Sequence, residues 1–297
     1  MIAFNKYYNK FNILSISLVF VSLIFLIFKG LNFGIDFKGG TLIELRSTDS
    51  KINVSSLRDN LSQMNLGDVS VKNFGNETDF LIKFENNENK NVIEEIKMNL
   101  DKSFGNSFNF RRVENVGPKV SAELLRSGVI AISVALFLML VYIWIRFEWQ
   151  FSVGSIIALF HDVVITLGIF SLLSLEINLS IIAAVLTIVG YSMNDTVVIY
   201  DRIRENLFKY TKISISDIAN LSINETLART IITSVTTLLA LVSIYTLGGE
   251  ILRGFSFAMI LGVIIGTYSS IFVASPILKF FKVSYKTLEK EEEKIVP

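Results

Sequence analysis

The 297-residue chain has no cysteine and a single histidine, and only 19% of its residues are charged. Without cysteine, disulfides, thiolate metal sites and thiol nucleophiles are all excluded. With His161 as the lone histidine, a multi-histidine metal centre is excluded too. The formal net charge is +1, so no global field draws the chain toward nucleic acid. The sequence is instead rich in apolar residues: 51% are hydrophobic, 24 are phenylalanine, and the mean hydropathy is +0.53. Several apolar runs reach the roughly 20 residues that cross a hydrocarbon core. This is the composition of an α-helical polytopic membrane protein.

The N-terminus, MIAFNKYYNKFNILSISLVFVSLIFLIFKG, has the positive flank and apolar core of a signal peptide. Its apolar stretch is longer than such a peptide's and no small-residue cleavage site follows, so it reads as a retained first transmembrane helix, about Phe11 to Phe28. The hydrophobic period then changes. Thr41 to Arg46 alternates as a strand, and Ser55 to Met64 has helical spacing. Val69 to Phe74 and Asp79 to Phe84 read as strands around a turn at Gly75-Asn76. Asn91 to Phe104 reads as an amphipathic helix, and Phe108 to Val113 as a closing strand. The order β-α-β-β-α-β is that of a ferredoxin-like unit. It contains no Gly-rich phosphate loop and no metal-ligand cluster, which suits a docking module better than a catalytic one.

Gly117-Pro118 ends this domain and starts a helix, since proline suits the first helical position. Five further spans are expected at about Leu124 to Ile145, Phe151 to Leu173, Leu179 to Tyr200, Arg229 to Leu247 and Phe255 to Phe280. The expected organisation is residues 1–30, N-terminus and first span; 31–119, an external α+β ferredoxin-like domain; 120–281, a five-helix transmembrane region with a linker at 201–228; and 282–297, a charged tail that frays. A surface helix is expected within the linker at Ser214 to Leu227. Lys6 and Lys10 precede the first span, Arg202, Arg204, Lys209 and Lys212 follow the fourth, and Lys279, Lys282, Lys286 and Lys290 end the chain. The opposite short turns, Ser174 to Asn178 and Gly248 to Gly254, carry only Arg253. The positive-inside rule therefore assigns both termini to the cytoplasm and the ferredoxin-like domain to the outside.

Polar residues inside the apolar runs are the candidate functional groups. Asp195 is an ionisable carboxylate in the fourth span, which makes it a functional-site hypothesis by default. On these boundaries it lies toward the cytoplasmic end, within reach of an aqueous cavity. Burial and a nearby cation push a carboxyl's proton affinity in opposite directions, so a group between the two can load and unload a proton. Arg229, opening the fifth span, is the candidate cation; the competing reading is a snorkelling anchor. Asp162, near the middle of the third span, either joins the same relay or only pairs with His161. The hydroxyls of Thr233, Ser234, Thr236 and Thr237 are expected to bond back to their own helix or across to a neighbour. Gly262 and Gly266 form a small-xxx-small pair suited to close helix approach, and Pro276 is expected to kink or end the sixth span.

Several stretches in order resemble one family. They are GIDFKGGT (Gly34 to Thr41), VGPKVSAEL (Val116 to Leu124), HDVVITLG (His161 to Gly168), GYSMNDTVVIYDRIREN (Gly190 to Asn206), RTIITS (Arg229 to Ser234) and GFSFAMILGVIIGTYSSIFVASP (Gly254 to Pro276). Together they resemble the SecF family of bacterial protein-export subunits, across nearly the whole chain. Lys38 and Met193 depart from the family pattern without removing a charged position. The resemblance implies the resistance-nodulation-division superfamily, whose members couple proton flow to work outside the membrane. It implies SecD as the partner that supplies the other six spans, the SecYEG translocon and a translocating preprotein as further partners, and the bacterial inner membrane as location. It carries the family's proton-site residues onto Asp195 and Arg229, with Asp162 as a further contributor. No catalytic residue, metal or cofactor is implied, and the chain is not expected to be an enzyme.

Three other functions compete. A passive translocon scaffold would leave Asp195 without a role in transport. Half of a proton-driven lipid or small-molecule exporter would keep the superfamily and, with only six spans and one small external domain, would still need a partner. An intramembrane serine protease would use Ser192 and His161 as a dyad, but GYSMN lacks the second glycine of a nucleophile elbow and Asp195 would go unused.

Overall fold

The computed structural model describes residues 1–64, 66–85, 91–105, 107–285 and 287. Six of its helices are long and apolar enough to cross a membrane: Phe4–Phe28, Pro118–Arg146, Trp149–Leu172, Leu179–Lys209, Ile215–Leu247 and Ile251–Phe280, called the first to sixth spans below. The chain divides into two compact units, residues 1–32 with 131–297, and residues 33–130. The tail expected to fray lies, from residue 288 on, outside the described residues.

The smaller unit follows from its alternating apolar pattern. Strands β1 (Gly40–Ser47), β2 (Ser70–Phe74), β3 (Asn76–Phe84) and β4 (Phe108–Val116) form an antiparallel sheet in the order β2-β3-β1-β4. Helices α1 (Val54–Ser62) and α2 (Val92–Phe104) provide the two crossovers, giving the ferredoxin-like split βαβ arrangement. Ile43, Leu45, Phe80 and Ile82 from the sheet meet Leu57, Leu61, Ile96 and Leu100 from the helices, and all eight are fully buried. Asn53 caps α1, its side chain accepting from the Ser56 amide while Ser56 Oγ accepts from the Asn53 amide. Two glycines set the entry to β1. Gly39 and Gly40 have φ of +78° and +126°, and a Cβ on Gly40 would stand 2.7 Å from the Phe84 carbonyl oxygen. Only glycine combines that backbone with that contact.

In the larger unit the third, fourth and sixth spans form the buried centre. Close helix approach is set by glycine. A Cβ on Gly262 would meet Ile188 at 2.2 Å, one on Gly266 would meet Ser192 at 2.8 Å, and one on Gly168 would meet Ser22 at 2.3 Å. The first and second spans keep most of their apolar surface outward, as expected for lipid-facing helices.

Several element ends move by a few residues, and two differences from the sequence expectation have a physical cause. The interval 201–228 is helical at both ends, with only Tyr210 to Ser214 between the fourth and fifth spans. The surface helix expected at Ser214 to Leu227 is the first part of one continuous helix, Ile215–Leu247. Ser214 caps it by accepting from the Asp217 amide, no proline or glycine interrupts it, and Ile218, Ala219 and Ile223 bury against Ile199, Ile203 and Leu207. The amphipathic pattern was real, but its apolar stripe faces the fourth span instead of a membrane surface. The second difference is at Pro276. The sixth span widens into a π turn, Ser270–Ala274, and re-forms as Ser275–Phe280 with the proline in its first turn. Proline lacks the amide of a helix interior and crowds the carbonyl four residues back, and the wider turn absorbs both.

Candidate functional site

Asp195 and Asp162 are 3% and 0% exposed, so both carboxyls lie inside the bundle. Each is fixed by its helix. Asn178 caps the fourth span, accepting from the Ile181 amide, and the helix then places Ser192, Asp195 and Thr196 on its buried side. On the third span, Thr166 Oγ1 donates back to the Asp162 carbonyl at 2.8 Å, which spends its hydroxyl within the helix.

The polar interior is organised by four successive residues of the sixth span, Thr267-Tyr268-Ser269-Ser270. Successive helical positions turn by about 100°, so four of them face four different neighbours. Thr267 Oγ1 pairs with Ser234 Oγ of the fifth span at 2.8 Å. Tyr268 donates to the Phe11 carbonyl at 2.7 Å and lies 2.8 Å from Ser15 Oγ, both on the first span. Ser269 Oγ donates to Asp162 Oδ2 on the third at 2.8 Å, and Ser270 Oγ pairs with Thr196 Oγ1 on the fourth at 2.8 Å. The π turn begins at Ser270, the last residue of this hub.

Both oxygens of Asp162 are hydrogen-bonded. Oδ2 accepts from Ser192 Oγ at 2.5 Å as well as from Ser269, and Oδ1 lies 2.8 Å from His161 Nδ1. The His161 ring is stacked on Tyr268, and its Nε2 is buried without a hydrogen-bond partner among the described residues. Ser192 thus directs its proton to Asp162 and not to the imidazole, which is the wrong geometry for a serine–histidine dyad.

Asp195 differs. Its Oδ2 is buried with no hydrogen-bond partner among the described residues. The Thr267 hydroxyl stands beside the carboxyl, and Arg229 is the cation whose charge acts on it. Arg229 sits on an exposed part of the fifth span, and no direct ion pair joins it to Asp195 among the described residues. Asp195 and Thr267 therefore lie on one side of the fourth–sixth contact, and Asp162 and His161 on the other. Residues two apart on a helix point about 200° apart, which is why Thr267 and Ser269 serve opposite sides.

The hydroxyls after Arg229 divide as expected. Thr233 and Thr236 bond back to the carbonyls of Arg229 and Ile232, while Ser234 reaches across to Thr267. The sequence reading missed Thr267, Ser269 and Ser270. The available signal was three hydroxyls and a tyrosine in a row, TYSS, within an otherwise apolar helix.

Beyond Asp195 the charged exit of the fourth span is held by ion pairs. Arg146 donates to Asp201 at 2.9 Å, Arg204 lies 3.2 Å from Glu148, and Arg202 donates to Glu225 at 2.6 Å. Asn206 adds bonds to Ser222 and Glu225.

The fold and these buried groups define a multi-pass membrane protein with two separate carboxyls in a hydroxyl-lined bundle interior. The profile of the family described as "Protein export membrane protein SecD/SecF, C-terminal" matches residues 96–284, and that of the SecD/SecF GG motif matches residues 24–51. The protein translocase subunit SecF of Rickettsia rickettsii is 48% identical over 282 residues, covering 93% of this chain and 91% of its own. That of Rickettsia bellii is 49% identical over 270 residues, covering 90% and 89%. Among solved structures, SecDF of Thermus thermophilus, described as a translocon-associated membrane protein, superposes with a TM-score of 0.86 at 37% identity over 95% of this chain. SecDF in a super-membrane-facing form gives 0.71 at 35% identity over the whole chain. This chain spans only 38% and 40% of those two longer chains. The chain belongs to the SecD/SecF family of protein-export membrane proteins, on its SecF branch.

Proposed function

We propose that this protein-export subunit is the SecF half of a proton-driven SecD–SecF complex that assists preprotein translocation through SecYEG. The observation that carries the reading is the buried Asp195 Oδ2, which has no hydrogen-bond partner among the described residues, beside Thr267 and within the influence of Arg229. A buried carboxyl with a free lone pair can take up a proton without first breaking a hydrogen bond, and release it when the cation's influence grows. One elementary charge crossing 100 mV supplies about 2.3 kcal/mol, enough for one or a few protons to bias a two-state helix movement. The lengths of the two SecDF chains support SecD as the partner, since each carries more than the region matched here. Asp195 and Arg229 act as the proton pair. The work is mechanical, so no catalytic residue, metal or cofactor is assigned and the protein is not an enzyme.

The site belongs in the bacterial inner (cytoplasmic) membrane. Lys6, Lys10, Arg202, Arg204, Lys209 and Lys212 on one set of connections put both termini in the cytoplasm and the ferredoxin-like domain in the periplasm. Asp195→Asn in the assembled complex is expected to abolish the part of export that depends on the proton gradient. The measurement is preprotein uptake into vesicles with and without that gradient. Stimulation equal to wild type in the assembled variant would refute the reading in favour of a passive scaffold.

A further inference from the structure

The buried carboxyls of the third and fourth spans differ in one respect that bears on the proton site: both oxygens of Asp162 are hydrogen-bonded, whereas Asp195 Oδ2 has no partner among the described residues. Asp162 Oδ2 receives two hydroxyls, from Ser192 on the fourth span and Ser269 on the sixth, and Oδ1 is engaged by His161. A proton placed on Oδ2 would have to displace one of its two donors, and one on Oδ1 would share that oxygen with the His161 contact, whereas Asp195 Oδ2 has no such contact among the described residues.

We propose that Asp162 is a positioning residue and not a proton carrier. It locks the register of the fourth span against the sixth through Ser192 and Ser269, and so sets Asp195 opposite Thr267. This rests on the reading of Asp195 as the proton carrier. The geometry is short-range. Asp195 lies one turn beyond Ser192 on the fourth span, and Thr267 lies two residues before Ser269 on the sixth. The same two helices that Asp162 ties together therefore carry the proposed proton carrier and its neighbouring hydroxyl. The tie works against a packed surface. Gly266 faces Ser192 with no room for a Cβ, so the helices touch there and a change in register is felt at once. The π turn begins one residue after Ser269 and supplies the section of the sixth span least constrained by regular hydrogen bonding. Without an anchor above it, the hub at Thr267 to Ser270 would be free to slip along this turn. His161 completes the anchor: Nδ1 holds Oδ1, and the ring stacks on Tyr268, which is itself tied to the Phe11 carbonyl.

Three substitutions separate positioning from proton carriage. In Asp162→Asn the amide oxygen still accepts from both serines, and the amide nitrogen donates to Nδ1 of the other histidine tautomer, so every bond survives while proton carriage is lost. The conservative variant is expected to keep most gradient-dependent export. Asp162→Ala, and the pair Ser192→Ala with Ser269→Ala, are each expected to lose it by about ten- to a hundredfold, the scale at which small misplacements of a reacting group are felt. A second readout does not use export. The chain has no native cysteine, so spin labels on cysteines introduced at the exposed positions Thr187 and Ile264 report the distance between the fourth and sixth spans in the full-length protein. The distribution is expected to broaden or shift in Asp162→Ala and in the double serine variant, and to stay as in wild type in Asp162→Asn and Asp195→Asn. Export in assembled Asp162→Asn as low as in Asp195→Asn, with an unchanged distance, would overturn the proposal and make Asp162 a carrier. An unchanged distance in Asp162→Ala would overturn it as well. Wild-type gradient dependence in Asp195→Asn would instead remove the proton reading, leaving the spin-label result to decide the anchor.

Discussion

Asp79 of β3 is 4% exposed, and Arg46 of β1 binds both of its oxygens, at 2.5 and 2.6 Å, with Arg111 of β4 3.7 Å away. The Arg46 hydrogen bonds, and after them the charges of Arg46 and Arg111, hold the Asp79 carboxyl below its ordinary value against the opposing effect of burial. The sign follows from linkage. The unfolded chain binds this proton more tightly than the folded one, so the stabilisation is complete above the unfolded value of about 3.9 and disappears as pH falls through the lower folded value. Protection of β1 and β3 amides against hydrogen exchange, relative to their intrinsic rates, is expected to fall in the full-length protein from about pH 4 downward. Asp79→Asn is expected to remove that acid-dependent part; identical acid profiles would show that the pair contributes nothing. Asp195 was legible in sequence because a carboxylate in a membrane-length apolar run is rare and costly. The distinction between it and Asp162 was not. Both are aspartates in apolar helices, and only the partners of each oxygen, supplied by residues 30 and 107 positions away from Asp162, tell them apart.

At the scale of elements, the glycines of the sixth span show how much a spacing can say. Gly262 and Gly266 suggest a close face, and the structure identifies what they face: Ile188 and Ser192. Gly266→Ala forces a Cβ to within 2.8 Å of the Ser192 Cβ, where neither atom can rotate away. Overpacking of this kind typically costs about 1–3 kcal/mol, and a lowered thermal midpoint of the purified protein is the expected result. Gly190→Ala, on the same fourth span but with no atom within 4 Å of the new Cβ, is the matched control. It is expected to be neutral or to stabilise by up to about 1 kcal/mol through helix propensity. Equal effects of the two substitutions would mean that packing at Gly266 is unimportant. Helix boundaries were harder to read. The helix Ile215–Leu247 looked like a surface helix followed by a span because charged residues occupy its first half. Tertiary contacts with Ile199, Ile203 and Leu207, together with Arg202–Glu225, carry the helix through. Pro276 signalled a disturbance, expected as a kink or an end, and the structure shows the helix widening into a π turn that accommodates the proline.

For the whole molecule, one helix, Pro118–Arg146, runs without interruption from the end of the ferredoxin-like domain into the second span. Under the proposed function it is the covalent route by which helix movement reaches the external domain. Ser127→Pro removes an interior hydrogen bond and kinks the helix, at about 3 kcal/mol or more locally. It is expected to lower gradient-dependent export while leaving assembly with SecD intact, whereas Ser127→Ala is expected to leave both unchanged. Export by the proline variant at the wild-type rate would remove this helix from the coupling.

The sequence by itself determined the membrane class, the six spans and the β-α-β-β-α-β order, which depend on local composition and periodicity acting over one helix or strand at a time. Its ordered motifs carry the resemblance to SecF. It also singled out Asp195 and Arg229, because an unusual charge in an apolar segment needs no neighbour to be conspicuous. Only the tertiary structure decided which hydroxyls meet which carboxyl, that TYSS is the hub of the bundle, that the fifth span is one continuous helix, and that Asp195 Oδ2 has no partner among the described residues. Hydrogen bonds form between groups brought within about 3 Å, and the packing of helices distant in sequence sets which groups those are.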